Sequence, residues 1–354
     1  MNDKRINSEL SQIEREARQE QYKEDELSKD WWKWPEYCDK SWEELQNVKK
    51  ESICEYPIQY LQDALSGILP SQLIIIGSDT GIGKTEIANM IAFHNTLRGK
   101  EVYLFALEGA WDEVIQRERY KRIVQKAFVL NRGLYEKLSY DRFMAGSLTK
   151  EIKEVWKDND EATLKAAYQK LHVYTRRNPL DKKTIITQLE RIHDKADLVV
   201  IDHLQYFDFF TQREHSEITE IMKNVRMLTS KYKVPVVLVS HLRKKSNDRV
   251  FPDNNDFHGS SNIAKQADAC IILSPVAMDE NPLENQISNN LYATGIRITK
   301  ARSGISQNIL GVVDFDFATK KYRENYTLKL IGAYGIQDYD FSKYPKWVKA
   351  YVSR

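Results

Sequence analysis

One stretch, residues 73–86 (LIIIGSDTGIGKTE), constrains the fold of this chain more than any other. Its four leading apolar residues predict a short buried strand, and a glycine-rich turn then leads into Gly-Lys-Thr and a helix-like run. This order is the P-loop layout, in which backbone amides at the start of a helix bind a phosphate. The stretch therefore predicts a nucleoside triphosphate site.

The expected roles within this motif follow from the residue types. Lys84 is suited to neutralise the β- and γ-phosphates, and the Thr85 hydroxyl is suited to hold Mg²⁺. The sequence departs from the motif at one position: Ser78 stands where the motif has its first glycine, and Gly77 lies one residue before it. An ordinary glycine turn between a strand and a helix is the alternative. The residues expected to bind the nucleoside triphosphate are Ser78, Asp79, Thr80, Gly81, Ile82, Gly83, Lys84, Thr85 and Glu86.

Composition sets broad limits on the function. The 354 residues are 42% hydrophobic and 29% charged, enough for one large domain or two small ones. A formal net charge of +2 is too close to zero to indicate a nucleic-acid partner by itself, so any basic surface must be local. Cys38, Cys54 and Cys270 lack metal-ligand spacing and are expected to be thiols. No long apolar run or signal-peptide core occurs, which predicts a soluble, cytoplasmic protein without membrane contact.

Apolar strands alternate with helices along the middle of the chain. A mostly helical region is predicted at residues 111–171, and further helices at 183–194 and 216–232. Strands are predicted at residues 100–106, 172–175, 198–201, 234–240, 269–273, 295–300 and 309–317. This alternation predicts an α/β fold with a mostly parallel central sheet covered on both faces.

Polar residues close several of the predicted strands, where ligands of parallel sheets collect. Asp202 follows LVVI and is suited to order the Mg²⁺ water shell, although a helix-capping Asp is the alternative. Glu108 follows the second strand and could deprotonate the attacking water, or it could be a surface-turn residue. His241 closes VVLVS and could sense the γ-phosphate, or it could be a packed polar residue.

Six segments occur in series: LSGILPSQLIIIG, FALE, LVVIDHLQ, VPVVLVSHL, HGSSNIAKQADACIIL and ITKARSG. In this order they resemble the RecA-like ATPase domain of DnaB-type hexameric helicases, from about Pro57 to Tyr326. The resemblance implies a RecA-like P-loop NTPase that uses ATP and Mg²⁺ and acts on single-stranded DNA. It also implies a homo-oligomer, a hexamer in this family, and a primase, loader or other replication protein as partner.

The resemblance carries over to catalytic residues only where the residues match. Lys84 fits the phosphate-binding lysine, Glu108 the catalytic glutamate and Asp202 the Walker B aspartate, whereas His241 stands where the family usually has Gln. Lys300 and Arg302 match the Lys-x-Arg pair that such helicases insert into the neighbouring subunit's ATP site. Without this context, a Lys-x-Arg pair would be interpreted as two surface cations at a strand end.

The DNA contacts implied by the resemblance lie in the loop before the QDAD-like segment. Small residues there expose amides that can bind phosphate without reading sequence. An arginine expected near His258 is missing, which weakens the electrostatic contact. Arg213 is a second channel contact or part of an interface loop. The residues of the first loop are His258, Gly259, Ser260, Ser261 and Asn262, followed by Lys265.

Three domains are expected: an N-terminal helical and aromatic arm (1–52), the ATPase domain (53–326) and a C-terminal extension (327–354). An apolar stripe in the arm could dock on another subunit, or the arm could be solvated. The leading hypothesis is a DNA helicase that translocates and unwinds in replication. A RecA-like, DNA-dependent ATPase used as an assembly switch in recombination, loading or defence is the first alternative, and an ATP-binding scaffold the second.

Overall fold

The structure is a computed structural model. It describes residues 51–109, 111–175, 181–207, 214–243, 251–258, 262–276, 286–288, 291–302, 309–316, 319–332 and 335–338. The predictions for the arm before residue 51 lie outside these residues. So do those for Arg213, Gly259, Ser260 and Ser261.

Ten α-helices lie in the described part of the chain. None of them is long and apolar enough to cross a membrane. The helices are α1 (Gln59–Leu65), α2 (Lys84–Leu97), α3 (Trp111–Leu130), α4 (Arg132–Tyr135), α5 (Tyr140–Met144), α6 (Thr149–Val155), α7 (Asp158–Ala167), α8 (Lys182–Ile192), α9 (Glu214–Tyr232) and α10 (Asn262–Gln266).

The described strands form one sheet in the order β11-β10-β9-β8-β6-β1-β5-β4-β2-β3, with β7 paired to β8. Strands β1 to β6 pair in parallel, and every pair that includes β7 to β11 is antiparallel. The strands are β1 (Leu73–Ser78), β2 (Val102–Ala106), β3 (Leu171–Thr175), β4 (Leu198–Asp202), β5 (Val236–His241), β6 (Ala269–Pro275), β7 (Gln286–Ser288), β8 (Leu291–Ala301), β9 (Ile309–Asp316), β10 (Lys321–Gly332) and β11 (Gly335–Asp338).

Strand β1 lies in the middle of this sheet and is buried on both faces. Because side chains alternate along a strand, Ile74 and Ile76 enter one apolar core and Leu73 and Ile75 enter another. Helix α2 contributes to the first core and helix α9 to the second. A continuous apolar run is therefore required here, as in other parallel strands covered by helices on both sides. The predicted α/β fold with a mostly parallel central sheet is confirmed.

Helices α3 to α7 form a helical region with its own small core between β2 and β3. Tyr120, Ile123, Leu134 and Leu148 are buried in that core. The turn predicted near residue 131 is present, because the Asn131 side chain accepts a hydrogen bond from the Leu134 amide and starts α4. This region adds no strand to the sheet that the structure describes.

The antiparallel half of the sheet extends past the expected end of the ATPase domain. Strand β10 runs from Lys321 to Gly332 and so continues through residue 326. It pairs with β9 and then with β11. Short connections allow antiparallel pairing, whereas each parallel pair needs a crossover helix, so the sheet changes character where helices stop separating the strands.

Cys54 and Cys270 are buried free thiols, as expected for cysteines without metal-ligand spacing. Burial raises the pKa of each thiol to about 12. Since the thiolate is the reactive form, we expect both to resist Ellman's reagent at pH 8 in the folded protein and to react quickly in denaturant. A Cys38→Ala background restricts the count to these two. Rapid reaction of two thiols without denaturant would contradict their burial.

Candidate active site

The P-loop lies between the end of β1 at Ser78 and the start of α2 at Lys84. Gly83 has a φ of +88°, a conformation that side chains other than glycine rarely adopt. A Cβ at Gly83 would also lie 2.7 Å from the Tyr322 hydroxyl. That hydroxyl donates a hydrogen bond to the Ile82 carbonyl over 2.5 Å. Glycine is therefore required at this position, and strand β10 supports the loop from behind.

The start of α2 is arranged to receive an anion. No side chain caps this helix, so its first-turn amides remain directed toward the loop. Lys84, the first helical residue, is only 5% exposed. Burial lowers the pKa of its ammonium, and the nearby Glu108 and Asp202 carboxylates oppose that change. The loop thus combines uncapped amides with a buried cation, as phosphate binding requires.

Two carboxylates from neighbouring strands meet beside the P-loop. The Thr85 hydroxyl donates a hydrogen bond to Glu108 Oε2 over 3.2 Å. Asp202 ends β4, next to β2, and is 3% exposed. Burial raises its pKa to about 7, which the Thr85 hydrogen bond opposes and the Glu108 charge reinforces. The structure therefore brings together Lys84, Thr85, Glu108 and Asp202, as the sequence predicts.

The site fits a divalent cation. Asp202 Oδ1 is buried and has no hydrogen-bond partner in the described part of the chain, which leaves a carboxyl oxygen available to a cation. The described residues contain no group of three or more His, Cys, Asp or Glu that could hold a metal. Thr85 and Asp202 are the residues that would hold Mg²⁺ at this position, and phosphates and water would supply its other ligands.

Two further residues, His203 and Gln205, join the site without having been predicted from the sequence. His203 Nε2 lies 3.2 Å from His241 Nε2 and 3.8 Å from Glu108 Oε2. Burial lowers the pKa of His203 to about 3, so this imidazole is neutral at physiological pH. The Gln205 side chain accepts a hydrogen bond from the His241 amide over 3.1 Å. His241 is therefore held in place by residues that follow β4. The IDHLQ segment of the sequence contains both of these residues.

Two residues of the motif serve packing and ion pairing. The Glu86 carboxylate, included above among the ATP contacts, is buried and paired with Arg117 over 2.5 Å and Lys121 over 2.7 Å. Burial acts to raise the pKa of this carboxylate, but the two cations outweigh burial and lower it. The Glu86 side chain is therefore held by helix α3. A Cβ at Gly77 would lie 2.6 Å from the Phe257 ring. The early glycine is thus explained by close packing of β1 against Phe257.

This packing leads to a stability prediction. Gly77→Ala is expected to lower the free energy of unfolding by about 1–3 kcal/mol, because the new methyl group overlaps the Phe257 ring. Urea denaturation followed by circular dichroism measures the change. Adding Phe257→Leu should make the double variant lose less than the sum of the two single losses. Strict additivity would contradict the proposed contact.

Lys300 and Arg302 lie at the other end of the sheet from the P-loop. Ala269 pairs with Ile74 on one side and with Ala301 on the other. The P-loop begins after Ser78, four residues further along β1. At a rise of about 3.3 Å per residue, the two ends of the sheet are about 13 Å apart along the strand direction.

The described part of the loop predicted to contact DNA begins at the P-loop end of the sheet. The His258 amide donates a hydrogen bond to the His241 carbonyl over 2.9 Å. Asn262 starts α10, and Lys265 on this helix is exposed. After α10 the chain reaches Asp268 and enters β6 at the opposite end. The segment therefore spans the sheet from the nucleotide end to the end that carries Lys300 and Arg302.

A P-loop flanked by strand-end carboxylates, on a sheet with β1 between β5 and β6, defines a RecA-like P-loop NTPase. The model for the family described as "DnaB-like helicase C terminal domain" matches residues 55–324. The chain belongs to this family, and the predicted resemblance is confirmed.

Individual relatives agree with this assignment. The chain is 24% identical over 224 residues to the replicative DNA helicase DnaB of Buchnera aphidicola subsp. Schizaphis graminum, which covers 61% of the chain and 44% of that relative. The chain thus spans less than half of its length. A solved structure of an ATPase domain has a TM-score of 0.58 at 18% identity, covering 80% of this chain and 95% of that one. A DnaB-like replicative helicase, solved in a study of its interactions with primase, has the same score and identity, covering 79% and 64%.

Proposed function

We propose that this chain is the motor domain of a DnaB-type replicative helicase. It hydrolyses ATP at the interfaces of a homo-oligomer, a hexamer, and uses the energy to translocate on single-stranded DNA and unwind duplex DNA. A primase, loader or other replication protein is the proposed partner. Family membership supports the reaction class, and the arrangement of charged residues supports the division of the site between subunits.

Each residue has a proposed task in hydrolysis. Lys84 and the α2 amides bind the phosphates, and Glu108 orients the attacking water and takes its proton. His241, fixed by Gln205 and His203, contacts the γ-phosphate. Thr85 and Asp202 would hold Mg²⁺, whose positive charge would offset the charge of the phosphates.

The observation that carries the proposal is the distance between the two halves of the catalytic set. The P-loop lies at one end of the sheet, and Lys300 and Arg302 lie at the other. Within one chain the pair is too far from the P-loop to contact a nucleotide bound there. A second copy that presents its pair to this P-loop would complete the site, which favours an oligomer with ATP at each interface.

A strand-displacement assay with ATP, combined with a native mass measurement of the assembled particle, tests the proposal. We expect unwinding of a forked duplex and a mass of about six chains in the presence of nucleotide and DNA. Particles that hydrolyse ATP at full rate as monomers would overturn it. DNA-stimulated hydrolysis by an oligomer without strand displacement would instead favour the assembly-switch alternative.

Glu108→Gln is expected to retain ATP binding and to lower turnover by about 10²–10⁴-fold, since the amide cannot take a proton from water. A coupled phosphate-release assay and equilibrium binding of a fluorescent nucleotide separate the two effects. Glu101→Gln, at the other end of β2, is the matched control and should leave both unchanged. Unchanged turnover in Glu108→Gln would remove its role as base.

A further inference from the structure

Asp268, the residue before β6, contacts three other segments of the chain. Its side chain is 8% exposed. The carboxylate accepts a hydrogen bond from the Leu73 amide over 2.9 Å and forms an ion pair with Arg226. Arg302 Nη1 lies 3.1 Å from its other oxygen. The carboxylate thus links β1, α9 and the residue after β8.

The contact between Asp268 and Arg302 fixes one edge of an otherwise exposed side chain. The Arg302 side chain is 53% exposed, and its amide donates to the Asp268 carbonyl over 2.8 Å. A guanidinium has five N–H donors in a rigid plane, so a partner on one edge leaves other donors available. The carboxylate therefore orients the guanidinium toward solvent without consuming it.

The carboxylate is itself held in place. Arg226, on α9, pairs with Asp268 and also donates to the Ser71 carbonyl over 3.0 Å. The Asp268 amide donates to the Leu73 carbonyl over 2.8 Å, so the backbone is fixed as well. A side chain with locked neighbours can position a second group more accurately than a free surface residue can.

Lys300 contacts the same segment of the chain. Its Nζ donates to the carbonyls of Ala264 over 2.7 Å and Lys265 over 3.1 Å, at the end of α10. Both members of the Lys-x-Arg pair are thus held by residues 264–268. The pair has a defined orientation before any neighbouring subunit is present.

We propose that Asp268 is a positioning residue for the next subunit's ATP site: it holds Arg302 in the orientation in which the guanidinium meets the neighbour's nucleotide. This inference rests on the proposed function, because it assumes that Arg302 acts in trans. Asp268 does not touch the nucleotide, and its effect passes through Arg302. A displacement of about 1 Å in a catalytic group can cost about 10²-fold in rate.

Mixed subunits test this directly. Arg302→Ala subunits keep an intact P-loop, and Lys84→Ala subunits keep the Arg302 guanidinium. The productive interface therefore pairs the P-loop of an Arg302→Ala subunit with the guanidinium of a Lys84→Ala subunit. Asp268→Asn is added either to the Lys84→Ala subunit or to the Arg302→Ala subunit. In the first case we expect kcat of the mixture to fall about 10- to 100-fold with KM for ATP unchanged. In the second case we expect no change relative to the parent mixture.

The outcomes separate the two proposals. No activity in the parent mixture would reject completion of the site in trans. Activity in the parent mixture that Asp268→Asn leaves unchanged in both placements would reject the positioning role alone.

A loss in both placements would indicate that the asparagine variant perturbs the fold, and Asp268→Glu then decides. It keeps the charge for Arg226 but moves the carboxylate by one methylene. A loss of kcat confined to the subunit that carries Arg302 supports the inference, and any other pattern overturns it.

Discussion

Replacing Arg302 with alanine is expected to lower ATP turnover by about 10³–10⁵-fold while nucleotide affinity changes only a few-fold. The reason is that an arginine placed on the transferring phosphate stabilises charge that develops in the transition state and contributes little to the ground state. The side chain is more than half exposed and lies at the opposite end of the sheet from its own P-loop. Steady-state phosphate release and nucleotide titration measure the two effects.

A matched control distinguishes this effect from general loss of surface charge. Arg98 is also ion-paired and similarly exposed, and it lies at the end of α2 away from the P-loop. Arg98→Ala should leave turnover within about twofold, since exposed ion pairs contribute little. Equal losses in the two variants, or a normal rate in Arg302→Ala, would contradict a catalytic role for this arginine.

Replacing Lys84 with alanine is expected to weaken ATP binding by about 10²–10³-fold and to reduce hydrolysis to background. Lys84 and the bound phosphates would form a buried charge pair. Removal of one partner from such a pair costs about 3–5 kcal/mol, because the other charge is left unpaired. Lys84 is the buried cation at the start of α2, beside uncapped amides. Equilibrium binding of a fluorescent nucleotide and phosphate release measure these losses.

The stability of the nucleotide-free protein provides the control for Lys84. Burial lowers the pKa of this ammonium, so the folded state disfavours its charge relative to the unfolded state. A neutral side chain of similar length, as in Lys84→Met, should therefore not lower the free energy of unfolding without nucleotide. A strong loss of stability in that variant would attribute the lost activity to unfolding, and ordinary hydrolysis in Lys84→Ala would refute the site.

Much of the fold could be predicted because local patterns and tertiary structure agree. The strand before the P-loop is apolar at every position of its first four residues since both of its faces are covered, and such runs are visible without a structure. Asp202 and Glu108 could be proposed because they follow buried strands, where ligands of parallel sheets collect. The antiparallel orientation of β8 to β11 could not be derived, since strand pairing depends on the connections and not on the apolar pattern.

The parts of the site that could not be predicted from the sequence depend on contacts between residues far apart in the chain. His203 joins His241 only because β4 and β5 are neighbours, and the order of strands cannot be derived from the chain alone. Glu86 is adjacent to the motif, yet helix α3 supplies the cations that hold its carboxylate. The role of Asp268 depends on three partners from separate segments. Such clusters become visible only when the chain is folded.

The central claim is that two copies of this chain form each ATP site. The most direct test is the rate of ATP hydrolysis in mixtures of Arg302→Ala and Lys84→Ala subunits as their ratio is varied. The claim predicts background rates for either variant alone and a maximum near equal amounts. Rates that never exceed the weighted sum of the two variants, in particles shown to contain both, would contradict it.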